Sequence, residues 1–164
     1  VPELLMAADS MYIGLDLLRP KMRKRDMGIT GTVVIGTVQG DVHDIGKNIV
    51  KMMFDIAGFS IHDLGRDVPL DEFLAKHMET KSDIVCMSAM MTTTMIGMPK
   101  VIKMIQEKNP NCKIMIGGAP ITDELKDRFG ADATAKDASN ALSEAVKLIV
   151  TIKDELKAAQ AKEG

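Results

Sequence analysis

Apolar positions at Leu4, Ala8, Met11, Leu15 and Leu18 recur at intervals of four, three, four and three residues, which puts them on one face of a helix over residues 3–18. Pro2 suits the first turn of that helix and Pro20 marks its stop. Residues 20–30 read as a linker. Its basic stretch, Arg19-Pro20-Lys21-Met22-Arg23-Lys24-Arg25-Asp26, has no aromatic side chains to stack on bases, so a solvated connector is expected rather than a nucleic-acid contact. From residue 31 onward the pattern becomes strand, loop and helix in repetition. Strands are predicted over 32–38, 59–64, 83–87, 112–116 and 131–135, with helices over 46–58, 69–80, 95–108, 122–129 and 138–159. Gly58 and Gly130 stand where glycine closes a helix, and Asn109-Pro110 breaks another. Each parallel crossover needs a helix, so this alternation predicts an α/β fold, a five-stranded parallel sheet with helices on both faces and strand order 2-1-3-4-5.

Composition adds little beyond exclusions. The chain has 164 residues, 46% hydrophobic and 27% charged, with a formal net charge of -2, values that suit an ordinary folded domain and point to no polyanionic partner. No apolar run reaches the roughly 20 residues needed to cross a bilayer, and the start carries no signal-peptide layout, so a cytoplasmic location is expected. Cys86 and Cys112 lie in apolar stretches without metal-ligand spacing and are expected to be buried, reduced thiols. Because the chain opens on Val1 rather than Met, a fragment or processed form of something longer is expected.

In sheets of this kind, ligands lie beyond the carboxyl ends of the strands, where strand order reverses. Three loops would converge there: residues 39–46, 88–94 and 117–120. The first is no phosphate cradle, because five residues rather than four separate Gly40 from Gly46, Asn48 replaces the magnesium-binding Ser or Thr, and Asp41 and Asp44 repel anions. It is no receiver-domain pocket either, since the third strand runs out in Met87-Ser88-Ala89 without a phospho-accepting Asp. What the loop offers is an imidazole, His43, two residues after the carboxylate of Asp41 and between two glycines that permit tight turns. Asp41 can accept a hydrogen bond from the second imidazole nitrogen, fixing the tautomer and raising the basicity of His43 as a metal ligand. A lone loop histidine is more often solvent-facing or structural, and His62 and His77 fall on a different strand and a helix, so spacing alone leaves both roles open. A single axial histidine suits a metal whose other donors come from a macrocycle.

Asp41-Val42-His43-Asp44-Ile45-Gly46 resembles the Asp-x-His-x-x-Gly signature of corrinoid-binding proteins. The longer run GDVHDIGKNIV, residues 40–50, is similar to that of cobalamin-dependent methionine synthase and of the small corrinoid proteins of methanol, methylamine and methoxyl-group metabolism. Ser88-Ala89-Met90, at the Ser-x-Leu position, then Thr92 and Thr94, then Gly117-Gly118 follow in the family's order. The resemblance covers nearly the whole chain: residues 1–19 are similar to the last helix of an N-terminal helical cap, 20–30 would be a linker and 31–164 a cobalamin-binding domain. It implies a flavodoxin-like, Rossmann-like fold that holds cobalamin or a related corrinoid base-off and His-on. His43 would be the axial ligand to cobalt in place of the cofactor's own base, and the displaced nucleotide tail would enter the domain.

By the same resemblance, Asp41, His43 and Thr94 form a relay through which proton uptake follows the cobalt redox state. Ser88 and Thr92 would bond along the tail channel and Gly117 and Gly118 would leave it room. Val42, Asp44, Ile45 and Gly46 would complete the cofactor-binding loop, and Met11, with Met6 or Leu15, would face the upper side of the corrin. Met90 replaces the family's Leu, a volume-conserving swap costing under about 1.5 kcal/mol. The implied function is a methyl carrier between a substrate:corrinoid methyltransferase and a methyl-accepting methyltransferase, with neither a nucleic acid nor a membrane as partner. No independent nucleophile or acid–base pair is visible, so no self-sufficient active site is expected. Two rivals are a cobalamin-sensing regulator, supported only by the basic residues 21–25, and the cobalamin-binding subunit of a radical mutase, against which the cap-like start argues.

Overall fold

The computed structural model describes Met6, Ser10, Ile13, Gly14, Leu17 and residues 31–163. The five isolated residues are helical. The rest of the expected cap helix, the linker with its basic stretch, and Met11 lie outside the described residues.

Residues 31–163 alternate strand and helix throughout. In chain order they form β1 (Thr32–Val38), α1 (Ile45–Ala57), β2 (Ser60–Val68), α2 (Leu70–Thr80), β3 (Ile84–Ser88), α3 (Thr92–Met95), α4 (Met98–Lys108), β4 (Lys113–Gly117), α5 (Asp123–Phe129), β5 (Ala133–Thr134) and α6 (Ala138–Glu163). The strands make one sheet of order β2-β1-β3-β4-β5, and every pairing is parallel. This is the flavodoxin-like arrangement that the alternation predicts.

A period of two in the strands sorts the core into two layers. Val34 and Val38 of β1, Val85 and Met87 of β3, and Ile114 and Ile116 of β4 face α2 and α4, where Phe73, Met98, Ile102 and Ile105 cover them. Val33, Ile35, Ile84, Cys86 and Met115 face the other way, onto Phe54 of α1 and Ala141, Ala145 and Ile149 of α6. Burial of side chains such as Phe54 and Phe73, both 0% exposed, contributes roughly 1.5–3 kcal/mol each. Both thiols are buried and free. Burial pushes Cys86 above the ordinary thiol range, and Cys112 is pushed up to about 12 by burial and the nearby carboxylates of Asp132 and Asp83.

Two elements depart from the sequence expectation. β2 does not end at residue 64: it passes two register shifts against β1, with Gly65 at φ 86° and Asp67 at φ 51°, and pairs again at Val38↔Val68. Turn-forming chemistry here makes a bulged strand end rather than a loop. The helix expected over 95–108 starts only at Met98, and a separate one-turn helix over Thr92–Met95 precedes it. α3 closes after one turn, with the Gly97 N–H donating to the Thr94 carbonyl (3.2 Å), and α4 starts afresh with Pro99 in its first turn, where a missing N–H costs nothing.

At the end of α2, His77 is 1% exposed. Asn109 Nδ2 donates to its Nε2 (3.2 Å), an orientation fixed because Asn109 Oδ1 accepts the Asn111 N–H (3.1 Å), so Nδ1 carries the proton and donates to Ser82 Oγ (2.8 Å). Burial lowers the pKa of this neutral imidazole from 6.5. The unfolded chain therefore binds the proton more readily, and stability present above pH 6.5 is lost as pH falls below it. The urea midpoint at about pH 5 is expected to lie below that at about pH 7.5, and His77→Gln is expected to narrow the gap. An equal gap in wild type and variant would assign the acid sensitivity elsewhere.

Candidate functional site

β1 delivers the chain to the carboxyl edge of the sheet, where it turns through Gly40 (φ 83°) and the Asp41 N–H donates to the Val38 carbonyl (3.0 Å). Asp41 is 0% exposed although it sits in a loop. Its Oδ1 accepts the backbone N–H of His43 (3.0 Å) and lies 2.8 Å from the His43 Nδ1. Its Oδ2 accepts the Met90 N–H (2.7 Å) and the Thr94 hydroxyl (2.7 Å). Burial alone would raise the pKa of this carboxyl. The donors from Thr94, His43 and Met90 outweigh it and hold Asp41 far below the usual carboxylate range. An ionised carboxylate can only accept, so the imidazole bond runs from Nδ1–H to Oδ1 and leaves Nε2 of neutral His43 with its lone pair. The His43 side chain is 48% exposed.

A cavity of about 690 Å³ opens beside His43 and runs between the sheet and the α1/α6 layer. Ile35, Cys86 and Met115 form its sheet side; Gly46, Lys47 and Val50 of α1 and Ala138 and Ala141 of α6 form its walls. Ser88, Met90, Gly117 and Gly118 stand near the strand ends. Of the residues singled out by the sequence, His43, Gly46, Ser88, Met90, Gly117 and Gly118 line this cavity. Asp41 and Thr94 do not line it but are bonded behind His43. Val42, Asp44 and Ile45 belong to the same loop outside the cavity lining, Val42 with 55% exposure. Thr92 is exposed at the start of α3 and is not brought to the cavity. Among the described residues, no group of three or more His, Cys, Asp or Glu is placed to hold a metal ion by itself.

Several participants were not singled out by the sequence. Thr37, 0% exposed, pairs its hydroxyl with that of Ser88 (2.9 Å). Lys47, with a side chain 1% exposed, donates from Nζ to Asp63 Oδ1 (2.7 Å) and Asn48 Oδ1 (2.8 Å), and Lys51 donates to Asp63 Oδ2 (2.8 Å). Burial would raise the Asp63 pKa, but the two ammonium groups and the Gly65 N–H lower it. The β5–α6 connection also reaches the cavity through Ala135, Lys136 and Asp137. The strand-edge rule could have found that loop, since it too follows a strand's carboxyl end.

Residues 31–146 match the B12 binding domain family. The chain is 44% identical over 152 residues to dimethylamine corrinoid protein 3 of Methanosarcina acetivorans, covering 92% of this chain and 71% of that protein. Among solved structures it is similar to the monomethylamine corrinoid protein of Methanosarcina barkeri, with a TM-score of 0.82 and 31% identity, over 90% of this chain and 71% of that one. It is also similar to a chain of the methanol:cobalamin methyltransferase complex MtaBC from Methanosarcina barkeri, with a TM-score of 0.70 and 33% identity, over 92% of this chain and 58% of that one.

The two adjacent glycines of the cavity differ in physical role. A Cβ on Gly118, whose φ is 118°, would fall 1.8 Å from the carbonyl oxygen of Ala89, so glycine is imposed there by the backbone. A Cβ on Gly117 or on Gly46 would meet no atom within 4 Å, so at both positions the missing side chain leaves open space along the cavity. Gly118→Ala is therefore expected to destabilise the protein by about 1–3 kcal/mol, whereas Gly117→Val, at a strand end, should stay within about 0.5 kcal/mol of wild type. Thermal melting of the two ligand-free variants checks this, and equal losses would contradict the distinction.

Proposed function

This chain belongs to the B12-binding domain family, and we propose that it is a methyl carrier, holding its corrinoid base-off with His43 beneath the cobalt. It would pass a methyl group between a substrate:corrinoid methyltransferase and a methyl-accepting methyltransferase. The cofactor is cobalamin or a related corrinoid. One arrangement carries the reading: a half-exposed imidazole, locked at Nδ1 by a buried carboxylate, beside a cavity of about 690 Å³.

The residues present fit the group. Nε2 of His43 has no hydrogen-bond partner among the described residues. Gly46 and Gly117 leave open space along the cavity, where the displaced nucleotide tail would lie. Ser88 offers the tail a hydroxyl already paired with Thr37. Val42 and Met90, 55% and 50% exposed, give the ring apolar ground beside the imidazole. When bound, the corrinoid supplies a cobalt that accepts and releases the methyl group.

The chain's own part is ligation, orientation and proton handling. His43 would hold the metal through Nε2 while the Nδ1 proton stays on its bond to Asp41. Whenever Nε2 is released, it can take up a proton, and the ionised Asp41, steadied by Thr94, balances the resulting imidazolium. In this reading residues 1–19 are the last helix of the cap and 20–30 the linker. No described helix is long and apolar enough to cross a membrane. The methyl donor is set by the partner enzyme; the names of the similar proteins include dimethylamine, monomethylamine and methanol systems.

In cobalamin-reconstituted protein, His43→Ala is expected to shift the visible spectrum to that of a corrinoid without an imidazole ligand; a spectrum identical to wild type refutes axial ligation. Asp41→Asn removes the charge that balances an imidazolium, so the cobalt reduction potential should lose part of its pH dependence. Spectroelectrochemical titration at several pH values reads this, and superimposable curves dismiss the relay. Gly117→Val should weaken cobalamin binding by about tenfold or more, ~1.4 kcal/mol, with the fold intact; unchanged affinity would move the tail elsewhere.

A further inference from the structure

Asp67 lies at the end of β2, outside both the His43 loop and the cavity. Its φ of 51° is left-handed, a conformation that few side chains accept and that Asp tolerates better than most. Two hydrogen bonds accompany it. The Asp67 N–H donates to the backbone carbonyl of Asp41 (2.9 Å), and Asp67 Oδ1 accepts the backbone N–H of Gly40 (2.7 Å). The first joins the very residue that orients His43, and the second joins its neighbour.

The bulged course of β2 is what brings Asp67 there. Pairing runs Ile35↔Asp63, then Gly36↔Gly65, then Val38↔Val68, so β2 carries extra residues opposite the end of β1. Asp63 pins the first shift, with Oδ1 accepting both the Gly65 N–H (2.9 Å) and the Lys47 ammonium (2.7 Å). Lys47 belongs to α1, the helix that the His43 loop leads into. The turn is thereby tied to β2 from both ends.

His43, Met90 and Thr94 hold the Asp41 carboxylate, Val38 takes the N–H, and Asp67 alone, among the described residues, holds the carbonyl. We propose that Asp67 is a positioning residue for His43, clamping the Gly40-Asp41 segment by the peptide groups on either side of it, from the side opposite the 88–94 loop, so that the Asp41 carboxylate stays aimed at the imidazole. The proposal rests on the reading that His43 ligates cobalt. Loosening one side of such a turn moves the ligand relative to its target, and ligation is sensitive to displacements of a fraction of an ångström.

The experiment compares Asp67→Asn, Asp67→Gly and His43→Ala in cobalamin-reconstituted protein, reading the imidazole-ligated fraction from the visible spectrum and the Kd by titration. Melting of each ligand-free variant is measured alongside. Asn keeps an acceptor oxygen and tolerance of the left-handed backbone and should match wild type. Gly keeps the backbone freedom and the N–H bond to the Asp41 carbonyl but loses the acceptor for the Gly40 N–H, so the ligated fraction should drop and Kd should rise roughly three- to tenfold. If Asp67→Gly keeps the wild-type spectrum and Kd while His43→Ala shifts its own, the clamp is refuted with axial ligation intact. The clamp is equally refuted if Asp67→Gly merely melts earlier while its bound cobalamin stays fully ligated. Should His43→Ala leave the spectrum unchanged, the ligation reading itself fails and the clamp loses its object.

Discussion

A carboxylate with no exposure to water has to be satisfied by the protein, and at Asp41 that requirement builds the site. Its donors come from two loops: His43 on one, Met90 and Thr94 on the other, 49 to 53 residues further along the chain. Stripping even one donor from a buried charge costs on the order of 1–3 kcal/mol, so the loops cannot drift apart without leaving the charge unpaired. The 39–46 and 88–94 loops therefore behave as one body, and the imidazole rides on it. A histidine 48% exposed would ordinarily sample several rotamers; here its ring orientation follows from a charge buried behind it.

The two faces of the sheet are unequal, and the inequality has a chemical use. On the α2/α4 face, Phe73, Met98 and Ile105 close over the strands at 0% exposure. On the α1/α6 face the strand residues nearest the carboxyl edge are met by Gly46, Ala138 and Ala141, which are too small to fill the layer, and a cavity of about 690 Å³ is left. Such a void in a core normally costs stability through contacts not made. Its wall is continuous with the His43 loop and includes polar groups such as Ser88, so the missing volume is placed where a ligand can restore the contacts.

The frame was legible in the sequence because it rests on local periodicity: strand alternation, helix stripes and glycine stops fix element order, and βαβ handedness rules leave few ways to order the strands. The error at β2 arose because Gly65 and Asp67 look like turn residues, and only pairing with β1 reveals a bulged strand. The helix split at Ile96 and Gly97 was signalled by Pro99, which a periodic reading passes over. Within the site, Asp41 and His43 are two residues apart and readable as a pair, whereas the bond from Thr94 spans 53 residues and came only through resemblance. Thr92, placed with Ser88 on the tail channel by resemblance, lies two residues before Thr94. On one helical turn, however, residues two apart point about 200° from each other, and Thr94 turns inward while Thr92 faces solvent. Thr37 and Lys47 escaped notice because their roles depend on Ser88 and Asp63, partners set by the sheet rather than by spacing.

The division between finished and unfinished parts of the site bears on how a carrier can work. The polar half, comprising Asp41 and the groups of His43, Met90 and Thr94 that donate to its carboxylate, is complete without any ligand, so binding need not spend free energy ordering it. The apolar half is incomplete, and a large ligand gains there what the core forgoes. In the proposed reading, affinity would come mainly from the cavity, leaving the imidazole free to be tuned for chemistry. The proposed carrier, keeping its cofactor through every transfer while His43 comes and goes as a ligand, would need that separation. The glycines enforce it: Gly118 holds the backbone against Ala89, and Gly117, one residue earlier, holds nothing and leaves the space open.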